Sequence, residues 1–335
     1  MTISQSPSAP LVVVVGATGN QGGSVVKALA ESDREYRIRG LTRDVTKPAA
    51  RQLAASGVEM ISIALTVDNG EAAREVFQGA DVVFVVTNYW EHLDVNREFA
   101  EAKMLVDAAK AAGVGLFIWS GLESIVKVSK GKYPNVHHFN GKGEVTEYAR
   151  LSGIPFINVQ SGWYATNFAK LDGMKPKRVA DETYVLALPV GPQTLLPVID
   201  TANDYGLFVR EAIESPAFGA GSEILTSGED ITVGEMVSQL AQITGKKIAY
   251  ARINDEDFMS ATGLPSSVAL EVLESLKYHE ECGCMLFMPP MLNATYVMPL
   301  DYAGKDSGPS RVHLARPTRT WADFVRSTDW SFVLA

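Results

Sequence analysis

Two kinds of hydrophobic pattern alternate along the first 160 residues. Leu11-Val-Val-Val-Val15 is an unbroken β-branched run, the signature of a strand covered on both faces. After the glycine-rich turn Gly16 to Gly22, apolar positions recur at helical spacing through Val25, Val26, Leu29 and Ala30. The same alternation predicts strands over 36–42, 58–64, 81–86, 115–119 and 155–160. Helices are predicted between them over 48–55, 71–77, 93–112 and 140–151, with Gly113 and Gly153 as C-terminal stops. Strands separated by single helices and short connections imply right-handed crossovers. The predicted fold class is therefore α/β, with a doubly wound parallel sheet.

Beyond Gly162 the rhythm loosens. Extended segments are predicted over 184–188, 196–199, 223–226 and 247–252, and helices over 202–214, 233–244 and 266–278. The stretch from Glu281 to Pro299 holds four Met and three Pro without a clear period. Two regions are expected: a nucleotide-binding domain over 1–162, and a smaller mixed α/β C-terminal lobe over 163–335 interleaved with late elements of the sheet. A length of 335 residues suits two domains, or one large core with a lobe.

Composition narrows the function classes. With 46% hydrophobic, 21% charged and 9% aromatic residues, a disordered, collagen-like or coiled-coil chain is excluded. A net charge of −9 without a basic run disfavours direct binding to nucleic acid or an anionic membrane. No apolar run approaches the roughly 20 residues that span a bilayer. Met1 to Pro10 lack a secretory signal's basic and apolar regions, so a cytoplasmic location is expected, with the nucleus as a second compartment. Cys282 and Cys284 are too few for a disulfide framework or a four-ligand zinc site, and no metal is expected.

The chemistry starts at Gly16-Ala-Thr18-Gly19-Asn20-Gln21-Gly22, a Gly-x-x-Gly-x-x-Gly turn between an apolar strand and an apolar-faced helix. Such a turn lets backbone amides and a helix's positive end approach a pyrophosphate without a Cβ in the way. A purely structural tight turn is the plainer alternative. About 20 residues further on, where an NAD site usually carries an acid for the ribose 2′-hydroxyl, stand Thr42 and Arg43, with Lys47 nearby. A guanidinium there suits a 2′-phosphate, so NADP(H) is the expected cofactor, against the alternative of a solvated arginine. Thr87, Asn88 and Tyr89 close the fourth strand and should border the cofactor, while Trp90 is expected to pack.

The blocks Gly16–Gly22, Val85-Val-Thr-Asn-Tyr-Trp-Glu91, Trp119-Ser-Gly-Leu-Glu-Ser124 and His138-Phe-Asn-Gly-Lys-Gly-Glu-Val145 resemble the NmrA-like branch of the atypical short-chain dehydrogenases/reductases. The NADPH-sensing members of that branch are the most similar, over nearly the whole chain. The resemblance implies a Rossmann domain with Gly16 to Gln21 around the pyrophosphate and Arg43 and Lys47 at the 2′-phosphate. It places Thr87 to Tyr89 at the middle of the cofactor, Lys142 at the nicotinamide ribose, and Tyr164 to Asn167 over the nicotinamide. Leu65, Thr66 and Ala100 depart from the sensing pattern, which carries more polar residues at the first two positions and a lysine at the third.

Active members of the superfamily carry a proton-donating Tyr four residues before the Lys; here that position is His138. Helical spacing puts His138 and Lys142 on one face. An imidazole can serve as acid or base, although a neighbouring ammonium should favour its neutral form. A histidine closing a loop onto the helix is the structural alternative. Ser120 or Ser124 would orient a substrate, and sequence does not choose between them. Two functions follow. The first is a redox sensor that binds NADP(H) and acts through a regulatory protein partner or a homodimer. The second is an NADPH-dependent reductase of a small apolar carbonyl, imine or quinone, with the Met-rich stretch as pocket wall.

Overall fold

The β-branched run near the start of the chain becomes the middle of the main sheet. In a computed structural model, which describes residues 3–282 and 314–335, β1 (Leu11–Val15) lies between β2 (Arg37–Thr42) and β4 (Val82–Val85). Beyond β2 lies β3 (Glu59–Ser62). On the other side β5 (Leu116–Trp119), β6 (Phe156–Gln160) and β11 (Glu223–Leu225) follow β4. The order is β11-β6-β5-β4-β1-β2-β3, with every pairing parallel. This is the doubly wound α/β fold of Rossmann type that the alternation predicts.

Both faces of β1 are buried because helices cover both. Val12 and Val14 pack with Val25, Val26 and Leu29 of α1 (Asn20–Ala30) and Phe208 and Val209 of α8 (Thr201–Glu214). Leu11, Val13 and Val15 face the other core, built from Phe77 of α3 (Gly70–Phe77), Leu105 and Val106 of α4 (Val95–Ala111) and Val145 of α6 (His137–Ser152). Successive strand side chains alternate between these cores, so the run needs no polar position. The chain reverses direction across the sheet between β1 and β4. In such sheets ligands bind beyond the carboxyl ends of the strands at this switch point.

The C-terminal region has its own core. β7 (Trp163–Tyr164), β10 (Leu195–Ile199) and β12 (Glu229–Thr232) form one three-stranded sheet. β8 (Lys177–Ala180), β9 (Thr183–Leu188) and β13 (Lys247–Arg252) form another. Leu186, Leu196, Met236, Phe258, Leu276, Trp321 and Trp330 are buried between these sheets and helices α9 (Val233–Thr244), α10 (Asp255–Ala261) and α11 (Ser266–Cys282). Pattern alone missed β7, β8, β12, α10 and the C-terminal helix Trp321–Ser327. They are two to seven residues long, too short for a period to emerge. Most of the Met-rich stretch lies outside the described residues.

Candidate functional site

The glycine turn is built as the spacing requires. Gly16 has φ +68°, a left-handed conformation that glycine adopts without strain. A Cβ on Gly22 would lie 2.2 Å from the Gly16 carbonyl oxygen, so only glycine lets α1 begin against the turn. α1 starts at Asn20 with Gly19 as its N-cap and no capping side chain. Its first amides are therefore left for another partner. Thr18, Gly19 and Asn20 are exposed. Gln21 is not: its Oε1 accepts a 2.7 Å hydrogen bond from Ser120 Oγ, and both side chains are buried.

At the end of β2, Thr18 Oγ1 and Thr42 Oγ1 lie 3.3 Å apart, linking the turn to the second strand. Arg43 follows, its side chain 72% exposed and ion-paired with Glu91. Lys47 stands at the N-cap position of α2 (Pro48–Ala55) without a capping side-chain bond and is exposed. Two hydrogen bonds from Thr46 lower the Asp44 carboxyl below the usual range, with the nearby Lys47 adding to the effect.

Across the switch point the polar side chains pair with one another around a buried carboxylate. Lys142 Nζ donates to Thr87 Oγ1 at 2.9 Å and lies 3.1 Å from Glu98 Oε1. Thr87 Oγ1 in turn donates to the same carboxylate oxygen at 2.6 Å. Glu98 is fully buried, and its Oε2 has no partner among the described residues. The ammonium also lies 4.8 Å from the centre of the Trp119 ring.

His138 meets a second carboxylate. Its Nδ1 is 2.5 Å from Glu271 Oε1, and its backbone N–H donates to that oxygen at 2.7 Å. Tyr89 OH donates to Glu271 Oε2 at 2.9 Å. Glu271 belongs to α11, yet it caps the amino end of α6, where no side chain of the helix itself does so. Burial pushes the Glu271 carboxyl up, but the bonds and charge of His138 outweigh it, and the net shift is downward. Tyr89 is raised by burial and by the Glu271 charge. An ionised carboxylate only accepts, so His138 carries a proton on Nδ1, and Nε2 is the ring nitrogen that Glu271 does not engage. The negative charge beside this ring comes from Glu271 on α11, 133 positions further along the chain.

The remaining candidates divide. Asn88 is exposed and Thr87 half-buried beyond β4. Trp90 packs as expected on one face, 4.7 Å from the His138 ring centre, while staying 46% exposed. Ser120 is committed to Gln21. Ser124 precedes the short helix α5 (Ile125–Val128) and packs against α6 at Gly143, with its Oγ 3.5 Å from Asn140 Oδ1. Tyr164 pairs in register with Ile199, and burial raises its hydroxyl to about 12. Asn167 opens the short helix α7 (Asn167–Lys170). The sequence motifs do not single out Glu98 or Glu271, although Glu271 was legible. It lies on the stripe of Val268, Ser275 and Tyr278, an acid on a buried helical face.

An open α/β sheet with an uncapped glycine turn at its switch point defines a nucleotide-binding class of protein. The family model described as NmrA-like family matches residues 8–289, and the chain belongs to that family. It is 30% identical over 256 residues to the NmrA-like family domain-containing oxidoreductase FrzB of Cladobotryum sp., covering 72% of this chain and 75% of the relative. The fold matches that of NmrA, a negative transcriptional regulator solved in complex with NADP, at a TM-score of 0.74 and 20% identity, covering 95% of each chain. It also matches the NADPH-dependent quinone oxidoreductase QOR2 of Escherichia coli at a TM-score of 0.70 and 19% identity, covering 94% and 98%. Among the described residues no helix is long and apolar enough to cross a membrane.

Proposed function

We propose that this chain is an NADPH-dependent reductase of a small carbonyl, imine or quinone. The residues fit the cofactor: the absence of a Cβ at Gly22 lets α1 start directly against the Gly16 turn, and the amides at the start of α1 have no capping side chain. Gly16, Thr18, Gly19, Asn20 and Gln21 would hold the pyrophosphate through backbone amides. Arg43, Thr42 and Lys47 would hold the 2′-phosphate. Thr87, Asn88, Tyr89 and Lys142 would border the ribose, and Tyr164 and Asn167 the nicotinamide. Bound there, the cofactor supplies a hydride. His138 holds at Nε2 the proton that reaches the substrate's heteroatom, Glu271 fixes the ring through Nδ1, and Lys142 contributes positive charge one helical turn away.

The observation that carries this reading is the His138–Glu271 pair, since a carboxylate orienting an imidazole is a recurrent acid–base arrangement. Relatives named as oxidoreductases support it. Anaerobic NADPH oxidation across a panel of carbonyls, imines and quinones tests it. With an accepted substrate, His138→Gln should lower turnover about 10²–10⁴-fold, as expected for losing a general acid. Turnover unchanged in that variant would remove His138 from the chemistry.

A second reading is a redox sensor acting through a protein partner. It is favoured by one observation: Glu271, on a helix of the C-terminal region, holds Tyr89 in the turn that follows Thr87 and Asn88. Nucleotide at that turn would bear directly on α11. Partner capture or self-association at one NADPH/NADP⁺ ratio and not another, without turnover, would favour the sensor. Both readings share the division at about residue 162 into a nucleotide-binding part and a substrate or partner part.

A further inference from the structure

Arg43 is the cation best placed for a 2′-phosphate, and its guanidinium is already engaged by Glu91. The acid comes from a different element: Glu91 closes the single 3₁₀ turn Tyr89–Glu91, beyond β4. Arg43 is held by its backbone, since Ser62 Oγ donates to the Arg43 carbonyl oxygen at 3.0 Å. Glu91 N–H donates to Asn88 O at 3.2 Å, so the turn that carries the carboxylate is itself ordered. Guanidinium forks match carboxylate and phosphate alike, and the two anions compete for the same donors.

We propose that Glu91 is an internal stand-in for the cofactor's 2′-phosphate and sets the preference between NADP(H) and NAD(H). This rests on the reading that Arg43 receives that phosphate. A phosphate arriving at Arg43 must displace Glu91 or sit beside its negative charge. A bare ribose hydroxyl meets neither penalty, and Glu91 can accept a hydrogen bond from it. The pair is largely exposed, with side chains 72% and 49% accessible, so the competition is weak enough for a dianion to win. Displacement also frees a turn whose first residue, Tyr89, is bonded to Glu271. The phosphorylated nucleotide alone would therefore act on that turn, and Trp90 in its middle would report it.

Calorimetry with NADP⁺ and NAD⁺ on the intact chain tests this, with adenosine 2′,5′-bisphosphate against 5′-AMP as probes of the adenosine end alone. Glu91→Gln should raise the NADP⁺/NAD⁺ affinity ratio about 3- to 10-fold, as expected for removing one exposed competing charge. The bisphosphate/monophosphate ratio should move with it. In an Arg43→Ala background the same substitution should change neither ratio. An unchanged or lower ratio in Glu91→Gln, or the full increase persisting without Arg43, overturns the proposal. If Arg43→Ala alone leaves the ratio unaltered, the 2′-phosphate assignment itself fails, which is a distinct outcome. Trp90 emission should respond to NADP⁺ and not to NAD⁺, and an equal response to both counts against displacement of the turn.

Discussion

On one side of the switch point, Thr18, Gly19 and Asn20 stand exposed at an uncapped helix, and the nearby Arg43 pairs with Glu91 largely in solvent. On the other, Lys142 and His138 are held by Glu98 and Glu271, carboxylates that are 0% and 1% accessible. The first region presents backbone groups and a replaceable ion pair, and a ligand's own charges can complete it. In the second the cations already have protein partners, with Glu98 Oε2 alone of the two carboxylates' oxygens left unpaired among the described residues. Burying two acids is costly unless each keeps its partner, so this end is rigid before any ligand arrives. The contrast suits a molecule that captures a dinucleotide by its phosphates and positions its reactive end against a fixed polar frame.

The sharpest way to break the contrast is to remove a cation from the buried side. Lys142→Met leaves Glu98 buried with Thr87 as its remaining donor. Stranding one partner of a buried pair should cost about 3–5 kcal/mol in denaturant unfolding. Adding Glu98→Gln to Lys142→Met should recover at least half of that loss. Arg43→Ala should leave the unfolding midpoint almost unmoved, because exposed pairs contribute about 0–1 kcal/mol. Equal stability losses in the two single variants would erase the distinction. Lost turnover in a Lys142 variant must accordingly be read beside its unfolding curve.

Acid should attack the same side next. His279 lies on α11, about two turns beyond Glu271. Its Nε2 accepts from Trp163 Nε1 at 3.1 Å, and its Nδ1 donates to Ser275 O at 2.8 Å. That set fits only the neutral ring, and burial lowers its pKa from 6.5 to about 4. Below pH 6.5 the unfolded chain takes up a proton that the folded chain refuses. Stability is therefore lost as pH falls towards 4, by about 3 kcal/mol at the limit. Glu223, half-buried on the edge strand β11 beside Arg150, runs the other way. Burial raises it to about 7, so its contribution is present below pH 4.5 and lost as pH rises through 7. The two slopes oppose each other over the same window. Glu223→Gln should therefore expose a steep acid loss in a pH series of unfolding midpoints, and His279→Gln should reverse the slope. A Glu223→Gln profile as flat as wild type would refute the assignment.

How much of this was legible in sequence differs between the two regions for a physical reason. The glycine turn, Thr42 and Arg43 lie close together along the chain or at neighbouring strand ends, so spacing reaches them. A βα turn is a local object, and its residues need no distant packing to find one another. The partners Glu98 and Glu271 are separated from Lys142 and His138 by 44 and 133 positions, and only packing joins them. Helical spacing puts His138 and Lys142 one turn apart on α6. It did not show that each faces its own acid, nor that the helix starts at His137 with Glu271 as its cap. Glu91, in the block Thr87-Asn-Tyr-Trp-Glu91, reads from sequence as part of a motif, and only the folded chain shows it as the partner of Arg43.

The smallest expected effect is also the most local. Tyr89→Phe removes one hydrogen bond to Glu271 and leaves both bonds from His138 in place. A hydrogen bond to a charged group is worth about 1.5 kcal/mol at the low end of its range, and the remaining donors keep the carboxylate satisfied. If Tyr89 ties the nucleotide turn to the C-terminal region, the loss should appear as faster amide exchange along α11 (266–282). Exchange in α1 (20–30), on the exposed side, should stay as it was. The same measurement with NADP⁺ sharpens the comparison, because ligand contacts at the start of α1 should slow exchange there in both proteins. Only the wild type should transmit a change to α11. Equal acceleration of both helices in Tyr89→Phe would mean that the two sides form one cooperative unit, and the contrast between a ligand-completed end and a protein-completed end would not hold.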